Sequence, residues 1–252
     1  MDTVQCYMHD PQGRRPHKVA TRPRLPQAGL RCPVLSDGNS LGWLVYPNTR
    51  SAWDVERVPG YLQIRHHASE DSDFEFDFLL QAGEDGSRVI ELFPPESVTP
   101  DPDCEKRIKG AMDKVFHSMQ NPAGSIRLLG NCWFKTPEGW DSVWTEVTNF
   151  FDLPMPHAYT ARVQTDWYVG TPVTEVLYQL RLGEHLRVDT QTPISMVVFV
   201  PRQEPKVEFL PYPEELQAET ARQVAEKYQA EYQRTEREIS PYNVWYARHQ
   251  KP

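Results

Sequence analysis

The stretch from Gly124 to Arg202 places the tightest constraint on what this chain can fold into. Short runs rich in Val, Ile, Leu, Phe, Tyr and Trp alternate there with Gly, Pro, Asn and Asp. Apolar runs of strand length bounded by turn-forming residues are typical of antiparallel strands joined by tight turns. We expect strands at 125–129, 132–135, 141–147, 158–167, 174–180, 185–188 and 194–200.

The first half of the chain carries the same signal more sparsely. Strands are expected at 3–8, 41–46, 60–65, 73–78 and 88–93, with a turn around Trp53 and a hairpin turn at 82–86. Two amphipathic segments, 105–119 and 213–239, predict helices. The predicted fold is therefore mainly β with flanking helices (α+β), arranged as an antiparallel β-sandwich or a distorted double-stranded β-helix-like barrel.

The domain organisation predicted from these patterns is a single domain over 1–252. It comprises an extended Pro- and Arg-rich arm at 10–29, a β-rich core at 41–93 and 124–202, and the C-terminal helix at 213–239. In that helix Leu216, Val224, Tyr228 and Tyr232 form a stripe that is broken at Thr220. Such a stripe packs across the sheet or against a second subunit, so a homodimer through the C-terminal segment is one expected partnership.

Charge and cysteine content limit the functional classes. The formal net charge is −8, and outside the arm we find no basic face, so neither nucleic acid nor a membrane surface is an expected partner. The four cysteines include no Cys-x-x-Cys pair and are expected to be buried small hydrophobic residues in a reducing compartment. No apolar run approaches membrane-spanning length, and a cytoplasmic location is expected.

Catalytic motifs are weak. The chain lacks a Gly-rich phosphate loop followed by a helix, and we expect no cofactor and no bound metal. His157, Asp166 and His185 would form an iron site only if the fold brought them together. Asp166 and Glu146 are the weak candidates for a general base, because a carboxylate in an apolar aromatic site has a raised pKa.

A strand with two tryptophans suggests a binding surface instead. Strand alternation places Trp140 and Trp144 on one face, and Val143 and Val147 on the other. If the valine face is the core, the tryptophans are exposed anchors for an extended peptide. The alternative is that both tryptophans are covered by a helix.

Several short motifs, in order, resemble a bacterial family of unknown function. They are Cys6-Tyr7, the run from Arg31-Cys32 to Asn39, Gly42-Trp43, the run from Phe134 to Trp140, the run from Val163 to Trp167, and the run from Phe199 to Arg202. This chain departs from the family pattern around Asn149, where two prolines are missing. It departs again at Tyr178-Gln179, in place of an Asn-Trp pair, and at 189–193, in place of a Lys-Gly-Glu-Pro turn.

With these departures from the family pattern, the chain looks similar to the peptide-binding proteins of crocagin-type pathways. Those pathways convert a ribosomally made precursor peptide into a pyrroloindoline. The resemblance implies a protein that holds the precursor peptide and guides a partner modifying enzyme. The candidate peptide-binding residues are Trp140, Trp144, Asn149 and Trp167. The alternatives are a non-heme iron and 2-oxoglutarate-dependent oxygenase, or a metal-free cyclase acting on the peptide.

Overall fold

The structure is a computed structural model that describes residues 3–18, 38, 40–67, 76–83, 86–93, 102–117, 124–148, 155–168 and 174–232. Its strands, in chain order, are β1 (Gln5–Met8), β2 (Trp43–Val45), β3 (Ala52–Val58), β4 (Tyr61–His67), β5 (Phe76–Gly83), β6 (Gly86–Phe93), β7 (Ser125–Leu129), β8 (Cys132–Lys135), β9 (Trp140–Thr145), β10 (His157–Ala158), β11 (Ala161–Val163), β12 (Glu175–Gln179), β13 (His185–Val188) and β14 (Ser195–Pro201). The helices are α1 (Pro102–Val115) and α2 (Glu214–Tyr232).

The described strands form four open antiparallel sheets. Their strand orders are β1-β8, β10-β12-β7, β11-β9-β14-β2 and β13-β3-β4-β5-β6. The mainly β class with flanking helices is confirmed, and none of these sheets closes into a barrel. Open antiparallel sheets bury one face each, so they must pack in layers.

The larger core lies between the five-stranded and the three-stranded sheets. Its centre is made of buried residues from strands β3, β4, β7, β12 and β13 together with the last turn of α1. Trp53 is 1% exposed and packs edge-on against Phe116, with ring centroids 5.2 Å apart. Edge-on aromatic pairs of this kind add to the free energy of area burial, so this pair helps to join α1 to the sheet.

A second core lies between the four-stranded sheet and the β1-β8 pair. It contains Val45, Cys132, Phe134, Trp144 and Val197, all buried. Strands β7 and β8 follow one another along the chain but belong to different sheets. The β7–β8 segment therefore passes from the first core to the second.

The chain divides into two compact units. One comprises residues 1–19 and 42–202 and holds all fourteen described strands and α1. The other comprises 20–41 and 203–252 and holds α2. Among the described residues, no helix combines the length and the apolar character needed to cross a membrane.

Most of the predicted strands are confirmed, but two regions differ. The segment around Trp53, predicted as a turn, is the seven-residue strand β3, paired along its length with β4. The predicted strand 158–167 is broken into β10, which pairs with β12, and β11, which pairs with β9. The chain changes sheet at that break, which local alternation does not signal.

Several predictions fall partly outside the described residues. The strand predicted at 73–78 is described only from residue 76, the turn at 82–86 lacks residues 84–85, and the helix predicted at 105–119 is described as far as residue 117. The helix predicted at 213–239 is confirmed over Glu214–Tyr232, and the arm predicted at 10–29 is described only as far as residue 18. Cys132 is buried as expected, whereas Cys6 is exposed and the prediction for it is wrong. Cys32 and the side chain of Cys104 lie outside the described part of the chain.

Truncating the centre of the larger core should destabilise the fold. Leu128 is fully buried on β7, so Leu128→Ala should lower the free energy of unfolding by about 2–5 kcal/mol through lost burial and a residual cavity. Urea denaturation followed by tryptophan fluorescence measures this. The matched control is Leu182→Ala, since Leu182 is 66% exposed and should change stability by less than about 0.5 kcal/mol. Equal effects of the two substitutions would contradict this core.

Candidate functional site

A cavity lined by aromatic side chains lies among the described residues. It has a volume of about 660 Å³. Its aromatic lining consists of Trp133, Phe134, Trp144, Tyr159, Trp167 and Tyr168. Concave, mostly apolar surfaces with a few placed polar groups are the usual form of a binding site. We call this feature the aromatic groove below.

The floor of the aromatic groove is buried and rigidly held. Phe134 is 3% exposed and Trp144 is 6% exposed, and their rings lie 5.8 Å apart between centroids. The indole Nε1 of Trp144 donates a hydrogen bond to Ser142 Oγ at 2.9 Å. A buried indole whose polar atom is paired in this way incurs no desolvation penalty for an unmade hydrogen bond.

The rim is made of aromatic side chains that remain in solvent. Trp167 is 63% exposed, Tyr159 is 49% exposed and Tyr168 is 47% exposed. Trp167 Nε1 donates to Gln164 Oε1 at 2.6 Å, and the Tyr159 hydroxyl donates to Gln179 Oε1 at 3.1 Å. These bonds hold the polar ends of two rings and leave their apolar faces available for contact with a ligand.

An edge strand borders the aromatic groove. β11 is the last strand at one end of the β11-β9-β14-β2 sheet, and among the described strands only β9 pairs with it. All three of its residues, Ala161, Arg162 and Val163, line the groove. An edge strand presents a row of backbone amide and carbonyl groups to which another extended chain can hydrogen-bond.

Charged side chains in the groove wall are paired with one another. Arg127 on β7 donates to Glu175 Oε2 on β12 at 2.8 Å. This pair links the two neighbouring strands, so it helps to keep the wall in register. The groove therefore combines an apolar floor with a wall of compensated charge.

A buried carboxylate, that of Asp141, binds an arginine of the groove wall. Asp141 on β9 is 2% exposed, and its two oxygens each accept a bond at 2.9 Å, from Arg162 Nε and Arg202 Nε. Arg202 also donates to Asp166 at 2.5 Å, and Gly139 N donates to the other Asp166 oxygen at 3.1 Å. Asp141, Arg162, Gln164 and Arg202 line a second, smaller cavity of about 320 Å³ that shares Arg162 and Gln164 with the aromatic groove.

The tryptophan strand differs in part from the prediction. Trp140 and Trp144 share a face as expected, but Trp144 is buried in the second core, so the expectation that it is an exposed anchor is wrong. The valine face is covered in part as well: Val143 is half-buried, and Val147 packs against a third cluster of buried residues, Leu44, Tyr46 and Met196. Both faces of β9 therefore contribute to apolar packing.

Two of the four candidate peptide-binding residues lie in the aromatic groove, and two do not. Trp144 and Trp167 both line the aromatic groove, one in its floor and one at its rim. Trp140 is half-buried at the start of β9 and is not part of the groove lining. Asn149 lies outside the described residues.

The candidate bases do not have the predicted environments. The Arg202 guanidinium lowers the pKa of Asp166, so the expectation of a raised pKa there is wrong. Glu146 is half-exposed, with Oε2 3.2 Å from Nδ1 of His157, and is not enclosed by aromatic rings. Neither carboxylate is in the apolar setting that the cyclase hypothesis requires.

The three residues considered for an iron site are not brought together. His157 is on β10 in the three-stranded sheet, where Nδ1 lies 3.2 Å from Oε2 of Glu146. His185 is on β13 in the five-stranded sheet, where Nε2 lies 3.7 Å from Oε1 of Glu56. Asp166 is bound to Arg202. Within the described part of the chain, no group of three or more His, Cys, Asp or Glu side chains is placed to hold a metal ion.

Sequence reasoning missed most of the groove. Trp133, Tyr159, Tyr168 and Arg162 were not identified, because they come from separate segments that meet only in the folded chain. One signal was available: the run from Ala158 to Tyr168 has three aromatic residues near turn-forming positions, a composition common at interfaces.

Comparisons with protein-family models, with curated proteins and with solved structures found no match for this chain.

Removing the charge of Asp166 should change how the free energy of unfolding depends on pH in the acid range. Because its pKa is lowered in the folded state, its stabilising contribution is present above the unfolded pKa of about 3.9 and is lost as pH falls through the folded value. Asp166→Asn should therefore be less stable than the wild type at neutral pH, with the difference vanishing at the acid end of the titration. Urea denaturation of both proteins across this pH range checks the sign. A difference that grew on acidification would contradict the Asp166–Arg202 pair.

Proposed function

We propose that this protein binds an extended peptide in the aromatic groove, with the peptide backbone running along the edge of β11. The observation that carries the proposal is the coincidence of an aromatic cavity of about 660 Å³ with a sheet edge that lines it. In peptide recognition by strand addition, backbone hydrogen bonds supply affinity and pockets for alternate side chains supply specificity.

The distribution of aromatic exposure supports a binding role. The floor residues Phe134 and Trp144 are needed for the core, whereas the rim residues Trp167, Tyr159 and Tyr168 are about half-exposed or more. Aromatic side chains with apolar faces in water and polar ends already bonded lose little conformational entropy on binding. Such residues are typical anchors of an interface.

The electrostatics of the groove favour a peptide of mainly apolar character at its centre. Glu175 compensates Arg127 on one wall, and Asp141 compensates Arg162 on the other. Among the described residues that line the groove, a ligand therefore meets no isolated charge that it must neutralise. Aliphatic or aromatic side chains at alternate positions would fill the groove at the lowest desolvation cost.

The motif resemblance supplies a biological context for the same proposal. It implies that the peptide is a ribosomally made precursor and that the complex guides a partner modifying enzyme of natural-product biosynthesis. The groove suits such a scaffold because a peptide held at a sheet edge keeps one side exposed to a second protein.

Removal of a rim anchor should weaken peptide binding. An array of synthetic peptides about six residues long, the usual length of a strand, with apolar residues at alternate positions, identifies a probe. The best binder is then measured by fluorescence anisotropy. Trp167→Ala should weaken its affinity roughly tenfold or more, since it removes a large apolar contact. The matched control is Tyr61→Ala, which removes a partly exposed aromatic outside the groove.

The backbone contribution is tested on the ligand. N-methylation of alternate amides of the probe peptide removes donors for strand addition without changing its side chains. Methylation in one of the two alternate registers should abolish binding and in the other leave it largely intact. Equal binding of both methylated peptides would contradict docking on β11, and equal effects of Trp167→Ala and Tyr61→Ala would contradict the groove itself.

A further inference from the structure

Two cysteines far apart in the sequence come together across the β1-β8 pair. In its antiparallel register, Cys6 lies opposite Phe134 and Met8 lies opposite Cys132. Residues directly opposite each other share a face of the sheet, as do residues two positions apart along one strand. Cys6 and Cys132 are therefore diagonal neighbours on the same face of this pair of strands.

The two thiols contact each other. They form a side-chain hydrogen bond, and both are free thiols. Cys132 is completely buried in the second core, whereas Cys6 is exposed. The pair thus joins one thiol that a small solute can reach to one that solvent cannot.

These surroundings give the two thiols different reactivities. The hydrogen bond from Cys132 stabilises the Cys6 thiolate and so lowers the pKa of Cys6 below its usual value. The same hydrogen bond, together with burial, raises the pKa of Cys132. The thiolate is the reactive form of cysteine, and an accessible thiolate beside a second thiol is the usual arrangement in redox-sensitive proteins.

We propose that Cys6 and Cys132 are a redox-active pair, in which hydrogen peroxide oxidises Cys6 and the two sulfurs then join as a reversible disulfide between β1 and β8. In the first step the Cys6 thiolate attacks a peroxide oxygen, so that an S–O bond forms while the O–O bond breaks. The sulfur loses two electrons and becomes a sulfenic acid, and the departing hydroxide is protonated to water.

Cys132 completes the reaction. Its sulfur attacks the sulfur of Cys6, so that the S–S bond forms while the S–O bond breaks. The departing hydroxide takes up the thiol proton of Cys132 and leaves as water. Two thiols and one hydrogen peroxide thus give one disulfide and two water molecules, and a dithiol reductant returns the disulfide to two thiols.

The positions of the two cysteines favour a labile bond. Diagonal neighbours on antiparallel strands lie about 7–8 Å apart, whereas the Cα atoms of a disulfide are usually about 4.4–6.8 Å apart, so β1 must shift slightly. β1 has only four residues and, among the described strands, pairs with β8 alone, so this shift disturbs no other ladder between them. A disulfide held away from its preferred geometry is readily reduced, which suits a reversible modification.

The pair lies beside the strand that supports the aromatic groove. β8 supplies Trp133 and Phe134 to the groove, and Tyr7 of β1 stacks on Trp133 with ring centroids 4.6 Å apart. Oxidation would fasten β1 to the strand that carries both of these groove residues. The chemistry itself requires only the two thiols and does not depend on peptide binding.

Mass spectrometry of the full chain tests the pair. The parent protein for this experiment carries Cys32→Ser and Cys104→Ser, so that only Cys6 and Cys132 can react. Treatment with hydrogen peroxide, followed by denaturation and alkylation, should give a single chain that is about 2 Da lighter and takes up no alkylating agent. Peptide mapping should place the bond between Cys6 and Cys132, and dithiothreitol should restore both thiols.

Variants of each cysteine separate the two roles. In Cys6→Ser, the buried thiol of Cys132 should be lost to peroxide at least about tenfold more slowly than the thiols of the parent. Cys132→Ala should stop at the sulfenic acid of Cys6, which dimedone traps as an adduct. Because Cys6 is exposed, Cys6→Ser keeps the proposal testable even if Cys132→Ala does not fold.

Three results would overturn the proposal. The first is a parent protein whose thiols both survive peroxide, or whose Cys6 proceeds to the sulfinic acid without an internal disulfide. The second is a disulfide that forms only between two chains. The third is loss of thiol at the same rate in Cys6→Ser as in the parent.

Discussion

The buried carboxylate of Asp141 is the constraint on which the surroundings of the aromatic groove depend. A carboxylate that is 2% exposed cannot remain charged without close partners, and it has two, the Nε groups of Arg162 and Arg202. Arg162 belongs to β11, so burial of this charge holds the edge strand against β9. Arg202 extends the network to Asp166, and thereby to the loop that carries Trp167. One electrostatic requirement thus positions both the edge and the rim of the groove.

The two cores explain why the groove has a rigid floor. Trp144 and Phe134 are members of the second core, and their inner contacts are with Val197 and Cys132 rather than with solvent. Close-packed interiors have few voids and low compressibility, so side chains within them keep a defined position. The floor is therefore part of the structural core, while the rim rests on single hydrogen bonds such as that from Trp167 to Gln164. A preformed floor and an adjustable rim together suit peptides of related but not identical sequence.

The proposed peptide site combines two kinds of recognition surface within one compact unit of the chain, residues 1–19 and 42–202. The aromatic groove offers a concave apolar surface, and β11 offers a sheet edge beside it. A concave apolar surface suits side chains, whereas a sheet edge suits the backbone of an extended chain.

The sequence by itself determined the local elements and which side chains share a face. Alternation located strands such as β7, β8 and β14, and it correctly paired Trp140 with Trp144, because the period of a strand is a local property of the backbone. Only the tertiary structure decided which face is buried, where the chain leaves one sheet for another between β10 and β11, and that Trp133, Trp144, Tyr159 and Trp167 converge on one groove. The physical reason is that a pattern along the chain records the orientation of neighbouring side chains, whereas burial and convergence depend on contacts between residues far apart in sequence.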